Sequence, residues 1–327
     1  MLKNAKQERL IWLDIIITLI TSQIMAYFYY GARSAFVAGL AVVTAAATEF
    51  ICLRLRRKPF TADDLTCTSD AMILTLMVPT VIDYKIMMIA CVFAIAVAKN
   101  VFGGRKNMIF SPAAAGYVFL LTSWRSQTLQ FTEPHVHTGL FEKAANLVSS
   151  ASHTFNVSGK LEYSNFELLM GNCVGPTGSA YVLLLAISAL ILLFRRDISA
   201  GAFIGSIAGT VIMSVLSPTA DSFHTSVKYA LITNMVLFAS VYIVADKRIA
   251  PKKDYYAFFY GLFIAIVSYI LVLTMAKENA IVIVSLLFTP VALALKNLEK
   301  RIENEKKQEE DTAASENEEK LEAEINA

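Results

Sequence analysis

Three groups of residues in this chain could do chemistry. The first is a set of carboxylates inside or beside apolar segments: Asp14, Glu49, Asp70 and Asp246. A charge at membrane depth is costly and persists where it pairs, meets a cavity or serves a pathway. Asp14 and Glu49 lie within a turn or two of a basic boundary, where reaching the interface or pairing with a nearby arginine accounts for them. Asp70 sits inside a short apolar segment with a polar start, and Asp246 ends another segment beside Lys247 and Arg248. These two are the ion-pathway candidates, with a boundary salt bridge the plainer account of Asp246. The second group is the corner KNVFGGRKNMIFSPAAAGYVFLL at 99–121. Gly103 and Gly104 allow a tight reversal or a close approach of backbone to a ligand. Ser111 and Pro112 then open a helix, with proline in the first turn where its missing N–H costs nothing. The third is the pair His135 and His137, which has no carboxylate or cysteine cluster nearby and reads as two solvated loop histidines. There is no Walker loop, GxGxxG or HExxH, so no catalytic residue and no metal ligand is assigned.

These groups must be positioned by membrane helices. Of 327 residues, 56% are hydrophobic and only 17% charged, and mean hydropathy is +0.53. A soluble domain of this length needs a more charged surface. The expected fold class is therefore an all-α polytopic membrane protein surrounded by lipid. Ten apolar segments, at 10–30, 34–53, 65–80, 84–102, 108–123, 178–194, 198–216, 226–245, 255–275 and 279–296, are near the ~20 residues a bilayer requires or somewhat shorter. Lysines and arginines crowd alternate short loops (Arg54 to Lys58, Arg105 and Lys106, Arg195 and Arg196, Lys247 to Lys253), which predicts both termini on the cytoplasmic side. The third segment, DLTCTSDAMILTLMVP, is short, polar at its start and stopped by Pro79, the pattern of a broken or half-length helix. Its neighbours give a division into a cytoplasmic N-terminus (1–9), a first five-helix half (10–123), an extracytoplasmic segment (124–177), a second half (178–296) and a charged cytoplasmic tail (297–327). Within the long segment, the piece from Phe141 to Val148 is expected to be helical. The four cysteines are scattered, without CxxC, and read as small apolar residues. A net charge of +2 offers nothing to nucleic acid.

The corner carries a family resemblance. K-x-x-F-G-G followed by N-x-x-F-[NS]-P-A-x-x-G-Y is matched here by Lys99, Phe102, Gly103, Gly104, Asn107, Phe110, Pro112, Ala113, Gly116 and Tyr117. It resembles the membrane protein shared by the Rnf complex, as its D subunit, and the sodium-pumping NADH:quinone reductase, as its B subunit. Asp64 to Asp70 is similar to that family's D-G-S-A-x-x-T, and Ala245 to Pro251 to its A-T-D-P-V-T-x-P, both with substitutions. The resemblance covers about residues 8–296. It implies two inverted five-helix repeats, as in urea channels, with a broken third helix. It also implies an electron-carrying subunit of a redox-driven Na⁺ or H⁺ pump, working with other subunits in a bacterial or archaeal cytoplasmic membrane.

Family members carry FMN on the threonine of an S-G-A-T motif before helix six and can hold a second flavin noncovalently. The best counterpart here is Ser158, Gly159, Lys160 and Leu161. Leucine has no hydroxyl for a phosphoester, so covalent FMN is expected to be absent at this position. A noncovalent flavin (FMN or riboflavin) is the cofactor left by the resemblance, with Gly103, Gly104, Asn107, Ser111 and Pro112 as its binding corner or as scaffold. A flavin-free scaffold paralogue and a non-redox transporter or channel are the alternatives.

Overall fold

Every apolar segment of the sequence is helical in the computed structural model, which describes residues 2–104, 108–142, 146–220, 222–305 and 308, without the side chains of 2–10 and 62. In chain order the main helices are α1 (Leu2–Tyr30), α2 (Ala32–Leu55), α3 (Thr66–Met77), α4 (Tyr84–Val92), α5 (Pro112–Ser123), α6 (Val182–Phe194), α7 (Ala200–Leu216), α8 (Phe223–Ile232), α9 (Val236–Ala239), α10 (Asp254–Met275) and α11 (Ala280–Leu287). α4 runs on as a π-helix over Phe93–Val101, and α9 does so over Ser240–Val244. Among the described residues the only β pairing is a single bridge between Phe131 and Val148.

Four helices are long and apolar enough to cross a membrane alone. Two bent helix pairs reach that length and apolarity only together: Phe223–Ile232 with Val236–Val244, at 54°, and Ala280–Leu287 with Thr289–Glu305, at 44°. The first break has a local cause, since Asn234 and Met235 both take left-handed backbone with φ near 57°. The chain is a multi-pass membrane protein.

α3 is the broken third helix. Thr61 and Asp64 form a reciprocal capping box over the 3-10 turn Ala62–Leu65 that leads into it, and it stops just ahead of Pro79. Eleven of its twelve residues are buried, among them Asp70 and Ser69. Twelve residues rise only ~18 Å, so this helix cannot span; it is enclosed by α1, α2 and α5 instead. Polar side chains are thereby held at membrane depth away from lipid, the arrangement a site needs.

The contacts define two ends. At the basic end, Arg56 reaches the carbonyl of Asn100 (3.3 Å), Arg195 pairs with Asp14 (2.7 Å), and Lys247 donates to the carbonyl of Arg196. At the opposite end the long segment folds over the bundle. Buried Arg33 holds it there, donating to the carbonyls of Thr80 and Val81 on one side and of Gly139 and Glu142 on the other. Of the piece expected to be helical, Phe141 to Val148, residues 143–145 lie outside the described residues and the others are not helical; a helix follows at Ala151–Ser158. Ser150 caps its start and left-handed Gly159 ends it, whereas Val148 is used in the bridge to Phe131.

Candidate functional site

A cavity of about 810 Å³ opens at the basic end. Phe102 and Gly103 of the glycine corner form part of its wall, with Trp12 of α1 and Thr66 and Ser69 of α3. Aliphatic side chains such as Ile15, Ile109 and Leu293 complete the apolar part, and the charged part sets Lys247, Arg248, Lys252, Lys296 and Lys300 against Asp63, Asp197 and Asp246. Cations exceed carboxylates, so the site suits a ligand with an anionic group. Two buried polar atoms on the wall have no hydrogen-bond partner among the described residues, Nε1 of Trp12 and Oδ2 of Asp197, the second with the Arg195 guanidinium 3.8 Å away. Such atoms cost free energy unless something supplies the missing partner. Burial, together with the neighbouring Asp14 carboxyl, pushes Asp197 up to about 6.

Asp70 and Asp246 meet at this cavity through one residue. The Arg248 guanidinium grips Asp70 with both of its terminal nitrogens (2.7 and 3.2 Å). Its Nε and Nη2 hold Asp246 at 2.7–3.0 Å. The planar fork of arginine is the side chain that can serve two carboxylates in this way. Burial works against the Arg248 charge, but Asp246 and Asp70 outweigh it and hold its pKa above the usual arginine value. The three groups carry one net negative charge. Lys296 closes the shell by donating to the carbonyl of Arg248 at 2.8 Å. The salt bridge read as the plain account of Asp246 is present, and it extends to Asp70.

A second polar centre lies deeper. Lys99 is wholly buried and pairs with Glu49, itself 2% exposed, at 3.2 Å. It also donates to Thr66 Oγ1, a residue shared with the cavity wall. Asn100 donates to the other Glu49 oxygen at 2.8 Å. Glu49 is therefore held by a lysine and an asparagine of the corner, and the reading that it reaches the interface or an arginine is corrected. Both residues lie in the π-helix, where Asn100 also donates to the Ile95 carbonyl at 3.0 Å. Lys99→Met should destabilise the protein by about 3–5 kcal/mol, since it strands a buried carboxylate. Lys99→Met with Glu49→Gln should recover most of that loss, a coupling that thermal unfolding of the detergent-solubilised variants will measure.

The other expected residues divide between the cavity and the scaffold. Gly103 lines the cavity. Gly104, with φ +75°, lets the chain pass 3.0 Å from Arg56 where a Cβ would stand. Ser111 and Pro112 are buried at the start of α5, where Ser111 Oγ accepts from the Ala114 N–H; they cap the helix and do not line the cavity. Asn107 lies outside the described residues. Ser158 and Gly159 sit at the opposite end, closing the helix Ala151–Ser158. Leu161 beside them packs on a small cluster of Ala151, Leu168, Cys173 and Ala180. His135 and His137 are both exposed, with His135 against the Tyr29 ring, and the described residues hold no group of three metal-ligating side chains. Sequence reasoning placed Arg248 beside Asp246 but not against Asp70, and it passed over Trp12, which nothing local marks.

The fold and the cavity define a multi-pass membrane protein with a half-length buried helix and a charged, ligand-sized chamber at one end. The chain belongs to the NQR2, RnfD, RnfE family, whose model matches residues 2–298. Among curated relatives, the D subunit of the ion-translocating oxidoreductase complex of Ectopseudomonas mendocina is 23% identical over 286 residues, 82% of this chain and 83% of that one. Its counterpart in Mannheimia succiniciproducens is 33% identical over 133 residues, 40% and 38% of the two chains. The D subunit of the Na(+)-translocating ferredoxin:NAD(+) oxidoreductase complex of Acetobacterium woodii is 31% identical over 111 residues, 34% of this chain and 35% of that one.

Proposed function

We propose that this chain is the D-type membrane subunit of an Rnf-type ion-translocating oxidoreductase. It works beside the other subunits of that complex in a bacterial cytoplasmic membrane, with its basic end toward the cytoplasm, and electron transfer through the assembly drives Na⁺ or H⁺ across. We further propose that the basic-end cavity holds a flavin noncovalently. The observation that carries this reading is the cavity's make-up: the size is that of a cofactor pocket, the wall pairs Phe102 and Trp12 with the bare backbone of Gly103, and the rim is cationic. Phe102 and Trp12 would flank a flat ring, and the unpartnered Trp12 Nε1 would donate to a ring oxygen or nitrogen. Lys252 and Lys300 would hold a phosphate, favouring FMN over riboflavin. A bound flavin supplies one-electron chemistry, and the protein supplies its placement and field.

Attachment by phosphoester in the long segment is not part of this proposal. The position that would need a hydroxyl is Leu161, turned into the small apolar cluster of that segment. The test is flavin content of the detergent-solubilised complex, separated into extractable and covalent fractions. We expect extractable FMN and no adduct on the peptide containing Ser158 to Leu161. Lys252→Glu with Lys300→Glu should weaken FMN retention by about tenfold or more, the scale of losing charge-assisted hydrogen bonds. A complex without extractable flavin, or with an adduct on that peptide, overturns the reading.

A further inference from the structure

Glu278 is a buried acid with no counter-charge among the described residues. It lies in the turn at 276–279 between α10 and α11, at the end opposite the cavity, and is 5% exposed. Its one hydrogen-bond partner among the described residues is Ser150 Oγ, itself fully buried. The groups around it are neutral or turned outward. Tyr117 of α5, wholly buried, is the titratable side chain packed nearest, with Asn279 beside it. On the long segment His153 is exposed and uses its backbone N–H, which donates to Ser150 Oγ at 3.0 Å. Lys277, next in the chain, is half-buried and makes no pair with Glu278. A lone carboxylate in this place would lose its hydration without recovering it, whereas a carboxylic acid keeps its bond to Ser150 at little cost.

Ser150 is also the cap of the helix Ala151–Ser158. The acid therefore fastens the start of that helix to the start of α11, and the Ser158–Gly159 element hangs from its other end. We infer that Glu278 is a proton-binding site that, as a carboxylic acid, latches the helix Ala151–Ser158 onto the bundle through Ser150 and frees it on losing the proton. In that step the Glu278 O–H bond breaks, the proton passes to water at this end of the molecule, and the charge left behind is stabilised only when the latch opens to solvent.

Burial moves Glu278 from 4.5 up to about 7 in the closed form. Because the closed form is the one with the raised value, protons stabilise it. Latch stability is complete below the ordinary glutamate range and falls about tenfold per pH unit until pH reaches about 7, then stays level.

Infrared titration and amide hydrogen exchange on the full-length protein in detergent test this together. Below pH 7 a carboxylic-acid carbonyl band is expected that disappears above it and is missing in Glu278→Gln. Protection of the amides in 151–158, corrected for intrinsic exchange, should fall at least about tenfold between pH 4.5 and 7 in the native protein, level off above 7, and stay constant throughout in Glu278→Gln. Ser150→Ala should keep a titrating band, shift its frequency and leave the helix open on both sides of pH 7. A missing acid band at low pH, a band indifferent to Ser150→Ala, or a pH-dependent loss of protection that persists in Glu278→Gln overturns the inference. The first two outcomes are read without the Glu278 variant, so they stand even where that variant does not fold.

Discussion

Arg248→Met should be among the most damaging single substitutions at the basic end, costing about 3–5 kcal/mol of stability. The reason is the arithmetic of the Asp70–Arg248–Asp246 group. Asp70 is 1% and Asp246 7% exposed, and one guanidinium serves both. Removing it leaves two carboxylates facing each other at the edge of the membrane with only Lys296 and a backbone N–H near Asp246 to balance them, and Asp70 cannot move out to water because α3 is enclosed. Removing one carboxylate is milder. Asp70→Asn leaves Arg248 held by Asp246 through Nε and Nη2, so it should cost clearly less than Arg248→Met. Arg248→Lys should fall between, because a point charge on a flexible stem cannot grip two carboxylates at once. Lys252→Met, which removes a cation from the same cavity rim but strands no carboxylate there, is the control and should stay within about 0.5 kcal/mol of the parent. Thermal unfolding of the four purified variants settles the order. If Arg248→Met unfolds no earlier than Lys252→Met, the three-residue group does not hold α3 to the loop after α9.

How much of this was legible in the sequence depends on the range of the signal. The apolar segments, the stop at Pro79 and the cap at Ser111–Pro112 rest on neighbours within a few residues, and they are found where expected. The corner at 99–104 was legible as a turn because two adjacent glycines have little other use, and both take positive φ. Beyond the neighbouring Asp246–Arg248 pair, the partners of the charges were not legible. Arg248 meets Asp70 across 178 residues of chain, and in the sequence only its neighbour Asp246 was in view. Glu49 faced four basic residues within ten positions, yet it is held by Lys99 from another helix. A helical wheel cannot decide such cases, because the choice is made by which helix packs against which. The helix at Ala151–Ser158 was missed for a different reason. Its apolar content is low, and the usable signal was at its ends, in the Ser150 cap and in Gly159, rather than in any periodicity.

Gly205→Leu should prevent α7 and α10 from packing, and Gly205→Ala should already cost about 1–3 kcal/mol despite the better helix propensity of alanine. α7 carries Gly201, Gly205 and Gly209 four residues apart, hence on one face. That face meets α10 backbone to backbone: a Cβ on Gly205 would stand 2.1 Å from the Phe258 carbonyl oxygen, and one on Gly201 2.2 Å from that of Asp254. Gly261 of α10 answers from the other side, where a Cβ would lie 2.2 Å from the Ala202 carbonyl oxygen. Within lipid there is little hydrophobic gain from pairing helices, so close backbone contact is itself the source of association. The obstructing atoms are backbone, which cannot swing aside, and relief requires the two helices to part. α10 begins at Asp254, just after the Lys247–Lys253 loop that supplies Arg248 to the cavity. Separation would therefore disturb the site as well as the fold. Gly39→Ala is the matched control, since a Cβ there meets nothing within 4 Å; it should be neutral or stabilising by up to about 1 kcal/mol. Unfolding temperatures and membrane yields of the three variants give the comparison. If Gly205→Ala behaved like Gly39→Ala, the α7–α10 contact would have to be looser than its geometry requires.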